Sequence, residues 1–242
     1  MLVIDRNHIP ENPNLEEGAV LLIDKPYGIT SFLAVKKVKR LFKNKVKKVG
    51  HAGTLDPLAS GLLIICVGKY TKKITLFQDM MKTYTGEMKL GATTPSYDLE
   101  TEVDQRFPEV DFNLEELQSK TAEFTGHQKQ RPPDFSAVRV DGKRAYELAR
   151  KGVKADIKEK DIFIEKFIID NYHDEVASFE VNCSKGTYIR SLVHDYGKRL
   201  ENGAYLQNLR RTRIGEYKVE DAFEPEELYK HYEHLLSSNE GL

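Results

Sequence analysis

The run Leu62-Leu-Ile-Ile-Cys-Val67 leaves the chain little freedom. It is wholly apolar, rich in β-branched residues and closed by Gly68, so it reads as a buried strand. It falls far short of the apolar length that crosses a membrane. Directly before it lies Val49-Gly-His-Ala-Gly-Thr-Leu-Asp-Pro-Leu-Ala-Ser-Gly61, where three glycines and Pro57 specify a loop rather than a regular element. Pro57 biases Asp56 toward an extended or turn backbone. Upstream again, Lys36 to Lys48 carries eight cations and no acid. One carboxylate therefore lies on a tight loop between a basic arm and a buried strand. The plainer reading is a turn in which Asp56 caps a backbone amide. His51, the glycines and the basic approach favour a polyanionic substrate brought up to a single reactive acid.

The distribution of charge supports that reading better than its total. The 242 residues carry a formal net charge of −1, yet residues 31–55 hold cations only and the Leu99–Glu123 region is mostly acidic. A local basic patch suffices for RNA. Two cysteines, Cys66 and Cys183, provide neither a disulfide framework nor a metal cluster and fit a reducing compartment. With no signal peptide and no membrane-length apolar run in view, the expectation is a cytoplasmic, metal-free monomer.

Residues 1–18 read as a polar entry arm. Gly18–Asp24 is a short buried strand, and Lys25-Pro-Tyr-Gly-Ile-Thr-Ser31 is the turn leaving it. Thr30 or Ser31 can cap a helix with Leu33, Val35, Val38, Leu41 and Phe42 inward. Its other face is cationic; solvation alone would explain it, but its place before the Asp56 loop points to phosphate contact, with Lys36, Lys39 and Lys43 as candidates and Lys25 grouped with them. Residues 70–77 suit a short helix. Lys82–Gly91 alternates as a strand that sets Tyr84 with Met88 and Leu90. Phe112–Phe124 is an amphipathic helix capped by Asn113, with Leu114, Leu117 and Phe124 facing in. After Pro132-Pro133 come an extended loop, a strand, a turn at Val140–Arg144 and a short helix ending on Gly152. Residues 161–170 and 175–183 form two strands joined by a polar turn, and a helix follows Ser184. Pro225 starts a last helix through Leu236, so that 224–242 are helix and tail.

Gly50-His-Ala-Gly-Thr-Leu-Asp-Pro57, together with Asp24-Lys-Pro-Tyr-Gly-Ile-Thr-Ser31, resembles the signature of the TruB-type tRNA pseudouridine-55 synthases. Further similar blocks are Gln130–Ala137, Cys183-Ser-Lys-Gly-Thr-Tyr-Ile-Arg190 and Gly203–Gly215, so the resemblance spans about residues 15–220. It implies that Asp56 is catalytic, that Tyr84 stacks on the target base and Tyr188 lines its pocket, that Arg190 pairs with the catalytic Asp, and that Leu209 closes the pocket wall. Thr94-Pro-Ser-Tyr-Asp98 departs from the family pattern at Pro95 but keeps Asp98, a candidate substrate contact with a turn-forming alternative. Arg139 stands where the family usually has Lys. Only 27 residues follow Gly215, so the expectation is one catalytic domain over 1–242 without the C-terminal RNA-binding domain of the PUA type.

Strand-like runs that outnumber helices without βαβ alternation indicate α+β with a mainly antiparallel sheet. The resemblance implies the pseudouridine-synthase fold: a long mixed sheet, flanking helices and a central cleft. It also implies isomerisation of uridine 55 in the tRNA T loop, with the T stem-loop as partner and no cofactor, since no atoms are exchanged. His51 would support the flipped nucleotide or the gap it leaves. The rivals are a non-catalytic tRNA-binding or folding factor and a glycosidase. The first has no use for a reactive acid, and the second needs two flanking carboxylates where one is evident.

Overall fold

The computed structural model describes residues 1–42 and 46–233. In chain order it forms β1 (Val3–Ile4), β2 (Ala19–Lys25), α1 (Ser31–Leu41), β3 (Val49–His51), β4 (Ala59–Val67), α2 (Ile74–Asp79) and β5 (Lys82–Leu90). Next come β6 (Ala92–Thr93), β7 (Gln105–Arg106), α3 (Leu114–Thr121), β8 (Gly126–Gln130), β9 (Arg139–Val140), β10 (Lys143–Arg144) and α4 (Ala145–Ala149). The last are β11 (Lys160–His173), β12 (Val176–Cys183), α5 (Ile189–Arg199), β13 (Ala204–Ile214), β14 (Tyr217–Lys218) and α6 (Pro225–Tyr232). They divide into two units: Met1–Lys82 with Arg210–Leu242, and Thr83–Leu209.

The first unit is built on β2 and β4, which pair antiparallel from Ala19↔Val67 to Lys25↔Gly61. β1 adds to β2 in parallel, and β3 adds to β4 antiparallel. Both faces of this sheet are covered, which explains why its strands are continuously apolar instead of alternating. Leu21, Ile23, Leu63 and Ile65 pack on one side with Ala34, Val38 and Leu41 of α1 and Leu228 and Tyr232 of α6. Val20, Leu22, Leu62 and Ile64 pack on the other with Phe77, Ile214 and Val219. Thr30 caps α1 by accepting from the Leu33 N–H at 3.1 Å. Leu33 itself is 39% exposed, against the expectation that it faces in; Ser31 and Ala34 take the inward positions of that turn instead.

The second unit sets β5, β12, β11 and β8 side by side in that order. β11 runs antiparallel to both β12 and β8. The β11–β12 turn places Asp174 and Glu175 at φ 51° and 61°, the backbone that a tight two-residue hairpin requires. Along β5 the expected alternation holds, with Tyr84, Met88 and Leu90 buried. Phe167 meets Phe179 and Tyr196 edge-on at centroid distances of 6.0 and 5.5 Å. The Tyr196 hydroxyl donates to the Leu117 carbonyl at 2.8 Å, tying α5 to α3. Asn113 caps α3 in a reciprocal capping box with Glu116. Leu114, expected inward, is 43% exposed, since it occupies the first turn ahead of the buried Leu117.

Each unit combines helices with a mainly antiparallel sheet, as an α+β chain should. The short strands β1, in the expected polar arm, and β3, in the expected loop, escaped the sequence reading, as did β6, β7 and β14 and two longer strands, β8 and β13. β8 is the polar Gly-His-Gln-Lys-Gln, and β13 is interrupted by arginines, so neither shows an apolar period. The strand expected after the two prolines shrinks to the β9–β10 hairpin. The predicted continuation of the last helix to Leu236 lies outside the described residues beyond 233. Among the described residues no helix is long and apolar enough to cross a membrane, and no group of three or more His, Cys, Asp or Glu is placed to hold a metal ion.

Gly61 shows how closely this framework is packed. Its φ is +104°, and a Cβ there would lie 2.3 Å from the Arg211 carbonyl oxygen. Gly61→Ala should therefore cost about 3 kcal/mol or more, combining backbone strain with overpacking. Denaturant unfolding of the variant against wild type measures it.

Candidate active site

Asp56 stands half-buried on the loop between β3 and β4, and both of its neighbours are fixed from the 26–31 turn. Ser31, 2% exposed, donates from Oγ to the Leu55 carbonyl at 2.9 Å and accepts from the Leu55 N–H at 2.8 Å. On the other side the Gly28 N–H donates to the Pro57 carbonyl at 2.8 Å. The Ala59 N–H then closes a turn on the Asp56 carbonyl at 3.1 Å. The peptide that carries the carboxylate is thus held on both flanks, while Thr54 and Pro57 remain exposed around it.

Two buried cations lie behind this loop. Lys25 is wholly buried at the end of β2 and donates to the carbonyls of Pro26 at 2.9 Å and Ile29 at 2.8 Å. Burial pushes its ammonium down to about 8; the negative charge of Asp56 opposes that shift and the positive charge of Arg211 adds to it. Arg211, 1% exposed, donates to the carbonyls of Leu62 at 2.8 Å and Gly53 at 3.1 Å, bracing the loop against β4. Beside it, Arg210 grips both carboxylate oxygens of Asp24, at 3.1 and 2.6 Å. His51, half-buried at the end of β3, is held below the usual imidazole range by burial, a shift that the Gly53 backbone only partly offsets. His51, Lys25 and Asp56, singled out from sequence, thus come together in the first unit.

Along α1 the predicted cations Lys36 and Lys39 are exposed, as is Arg40. Lys37 pairs with Glu226 at 2.9 Å in an exposed bridge that contributes little. Lys43 lies outside the described residues.

In the second unit Tyr84 is 9% exposed on β5 and Leu209 is 7% exposed on β13. Tyr188 is the N-cap residue of α5, and the side chain of Gln130 fixes it: Gln130 accepts from the Tyr188 N–H at 2.8 Å and donates to its carbonyl at 3.0 Å. Arg190, 5% exposed, donates to the carbonyls of Ser96 at 3.2 Å and Phe135 at 3.0 Å. Its Nε lies 3.6 Å from the Asp98 carboxylate, which is equally buried. Asp98 also accepts from the Glu100 N–H at 3.0 Å, the Asx turn that the sequence allowed. Arg190 and Asp98 are therefore brought together. Next to them Tyr97, at φ +64°, stacks on His194 at 3.8 Å and 11°.

Residues 39–189 match the model of the TruB family pseudouridylate synthase N-terminal domain, and residues 190–240 match that of the tRNA pseudouridylate synthase B C-terminal domain. The chain belongs to the TruB family of pseudouridylate synthases. It is 51% identical to the tRNA pseudouridine synthase B of Flavobacterium johnsoniae over 213 residues, 86% of this chain and 93% of that one. With the protein of the same name from Bacteroides thetaiotaomicron it shares 47% over 221 residues, 88% of this chain and 92% of that one. A crystal structure of a Cbf5-Nop10-Gar1 complex superposes with a TM-score of 0.70 at 26% identity, covering 98% of this chain and 60% of that one. A structure of an H/ACA RNP bound to a substrate RNA containing 2'-deoxyuridine gives 0.69 at 25% identity, covering 94% and 58%. This chain thus spans about three-fifths of the length of those two solved chains. The TruB chain has the pseudouridine-synthase fold and is an isomerase.

Ser31, Gln130 and Arg211 went unread in the sequence. Ser31 hid behind its neighbour Thr30 as a helix cap, Gln130 within a polar strand, and Arg211 in the basic run Arg210-Arg-Thr-Arg213. A faint signal existed for Arg211: it stands two residues from the inward Leu209 on an alternating strand.

Two predictions follow from this geometry. Ser31→Ala should destabilise the fold by about 1–3 kcal/mol, because it strands two buried backbone groups of Leu55. Steady-state kinetics should show kcat falling with KM nearly unchanged, and Ser31→Thr, which keeps a hydroxyl, should recover part of the loss. Lys25 sits near 8 in the fold against 10.5 for an ordinary lysine. Between these values the unfolded chain binds more protons, so stability rises with pH across that window. Relative to Lys25→Met, the wild type should gain on the order of 2–3 kcal/mol from pH 7.5 to 10.5, read by urea unfolding at each pH.

Proposed function

We propose that this chain converts uridine 55 in the T loop of tRNA to pseudouridine, with Asp56 as the reacting carboxylate. The supporting observation is the placement of Asp56: a half-exposed acid on a peptide fixed at both flanks, in a chain about half identical to proteins named tRNA pseudouridine synthase B. In the reaction the bond from C1′ to N1 of the uracil breaks, the base turns, and a bond from C1′ to C5 forms. The C5 proton leaves and N1 gains one, so the atoms balance with no external reagent. A carboxylate serves this chemistry as a nucleophile or as a base toward the 2′ proton, and either role requires it to be ionised and aimed.

The uracil must leave the RNA stack to react, and its lost stacking has to be recovered from the protein. Tyr84 offers an aromatic face for it, with Tyr188 and Leu209 as further contacts. Gln130 fixes the direction in which Tyr188 leaves α5, and Asp98 holds the Arg190 guanidinium in place. His51 supports the displaced nucleotide as a neutral ring. Lys36 and Lys39 neutralise phosphates along α1, and Lys43 is assigned the same role from sequence alone.

Asp56→Asn should abolish isomerisation while leaving affinity for RNA within a few-fold of wild type. Incubation with unmodified tRNA, mapping of pseudouridine and a binding titration decide it. Product at position 55 from the Asn variant would overturn the assignment, and binding without product from the wild type would leave a tRNA-binding factor.

A further inference from the structure

Two aromatic side chains beside the Asp56 loop are more exposed than packing or folding explains. Phe32 is 73% exposed, more than the terminal Met1 at 65%, and Tyr27 is 57% exposed. Each adjoins one of the hydrogen bonds that flank Asp56. Tyr27 precedes Gly28, whose N–H holds the Pro57 carbonyl. Phe32 follows Ser31, whose hydroxyl holds both backbone groups of Leu55. Neighbouring Cα atoms are about 3.8 Å apart, so each aromatic residue is carried one residue from a backbone tie to the Asp56 loop.

Phe32 also heads a cationic stripe. Positions 32, 36 and 39 fall on one side of α1, and Lys36 and Lys39 are exposed along it. An exposed aromatic followed along its helix by exposed lysines suits a polyanion with π faces, and single-stranded nucleic acid supplies both. A protein partner would instead be expected to match these cations with acids and the rings with a continuous apolar patch. Between the two aromatics the chain carries Gly28, the half-buried Ile29, the exposed Thr30 and the buried Ser31, and Leu33 beside Phe32 is 39% exposed.

We infer that Tyr27 and Phe32 form a stacking platform for the bases flanking the target uridine in single-stranded RNA, replacing the neighbour they lose when it is extruded. The inference rests on the RNA-modifying reading above and adds a contact that holds the flanks rather than the reacting base. Stacking of this kind is tolerant of base identity, so the platform contributes affinity and local geometry more than sequence discrimination.

The test uses the full chain and an unmodified T-arm stem-loop with 2-aminopurine next to the target uridine. Tyr27→Ala and Phe32→Ala should each weaken binding at least about fivefold, the lower end of what one base–aromatic stack contributes. They should also lose the fluorescence change that wild type produces on binding, whereas Tyr27→Phe and Phe32→Tyr keep both. Thermal melts should hardly move, because both side chains are exposed. The salt dependence of binding should stay at the wild-type slope in the alanine variants and flatten in Lys36→Glu/Lys39→Glu. Alanine variants that keep affinity and fluorescence within twofold overturn the platform, as does a wild type that does not bind the RNA. So does sedimentation showing that Phe32→Ala dissociates a self-associated wild type while RNA binding stands. Pseudouridine formation in the same RNA is read separately: a wild type that binds and responds but makes no product defeats the earlier reading and leaves the platform standing.

Discussion

The paired hydrogen bonds between Ser31 and Leu55 couple the parts of the first unit that must move together. One buried hydroxyl answers both backbone groups of Leu55, which would otherwise be stranded away from water. Because Ser31 is also the first residue of α1, the register of that helix and the position of Asp56 become a single quantity. α1 is in turn seated on β2 and β4 by Ala34, Val38 and Leu41. The carboxylate therefore inherits the rigidity of the core although its own loop is glycine-rich and partly exposed. A loop is a poor support for chemistry unless its backbone is tied to regular elements, and here the ties lie on either side of Asp56.

The second unit uses the same device with a longer side chain. Gln130, on β8, answers the N–H and carbonyl of Tyr188 as Ser31 does those of Leu55. Buried arginines supply a second kind of brace. Arg211 spans the carbonyls of Gly53 and Leu62, and Arg190 spans those of Ser96 and Phe135. A planar guanidinium with five donors can satisfy two separate carbonyls and still face an acid, which an ammonium on a flexible stem does less well. Asp98 accordingly faces Arg190 at 3.6 Å while its other oxygen closes a local turn. A buried charge left without such partners would be strongly destabilising.

Much of this was readable before the structure, for definite reasons. β2 and β4 carry uninterrupted apolar runs because both sides of the sheet are covered, and α3 and α6 announce themselves through Asn113 and Pro225. Asp56, His51 and Lys25 stand close together in sequence around one loop, so a local reading finds them. The braces escaped because their meaning is non-local: Ser31 acts 24 residues away and Gln130 58 residues away. Composition misled in places as well. Leu33 and Leu114 carry the right chemistry for a core but stand on the outer side of the first turn of their helices. The arginines of β13 carried no reading of their own, although Arg211 is among the most buried side chains of the first unit.

The split between buried and exposed cations has an electrostatic consequence. Lysines at 36 and 39 act through water, where added salt shortens their reach to about 8 Å at physiological ionic strength. Lys25 and Arg211 stand behind the Asp56 loop out of contact with water, so salt screens them far less. The exposed cations of α1 and the buried cations behind the Asp56 loop are thereby two separate sets of charges. The first set can weaken with salt without disturbing the second, because it shares no hydrogen bond with the loop. A net charge of −1 conceals this arrangement. Among the acids that balance the sum, Asp24 is held by Arg210, and others pair elsewhere, as Glu123 does with Arg199 and Glu100 with Arg150.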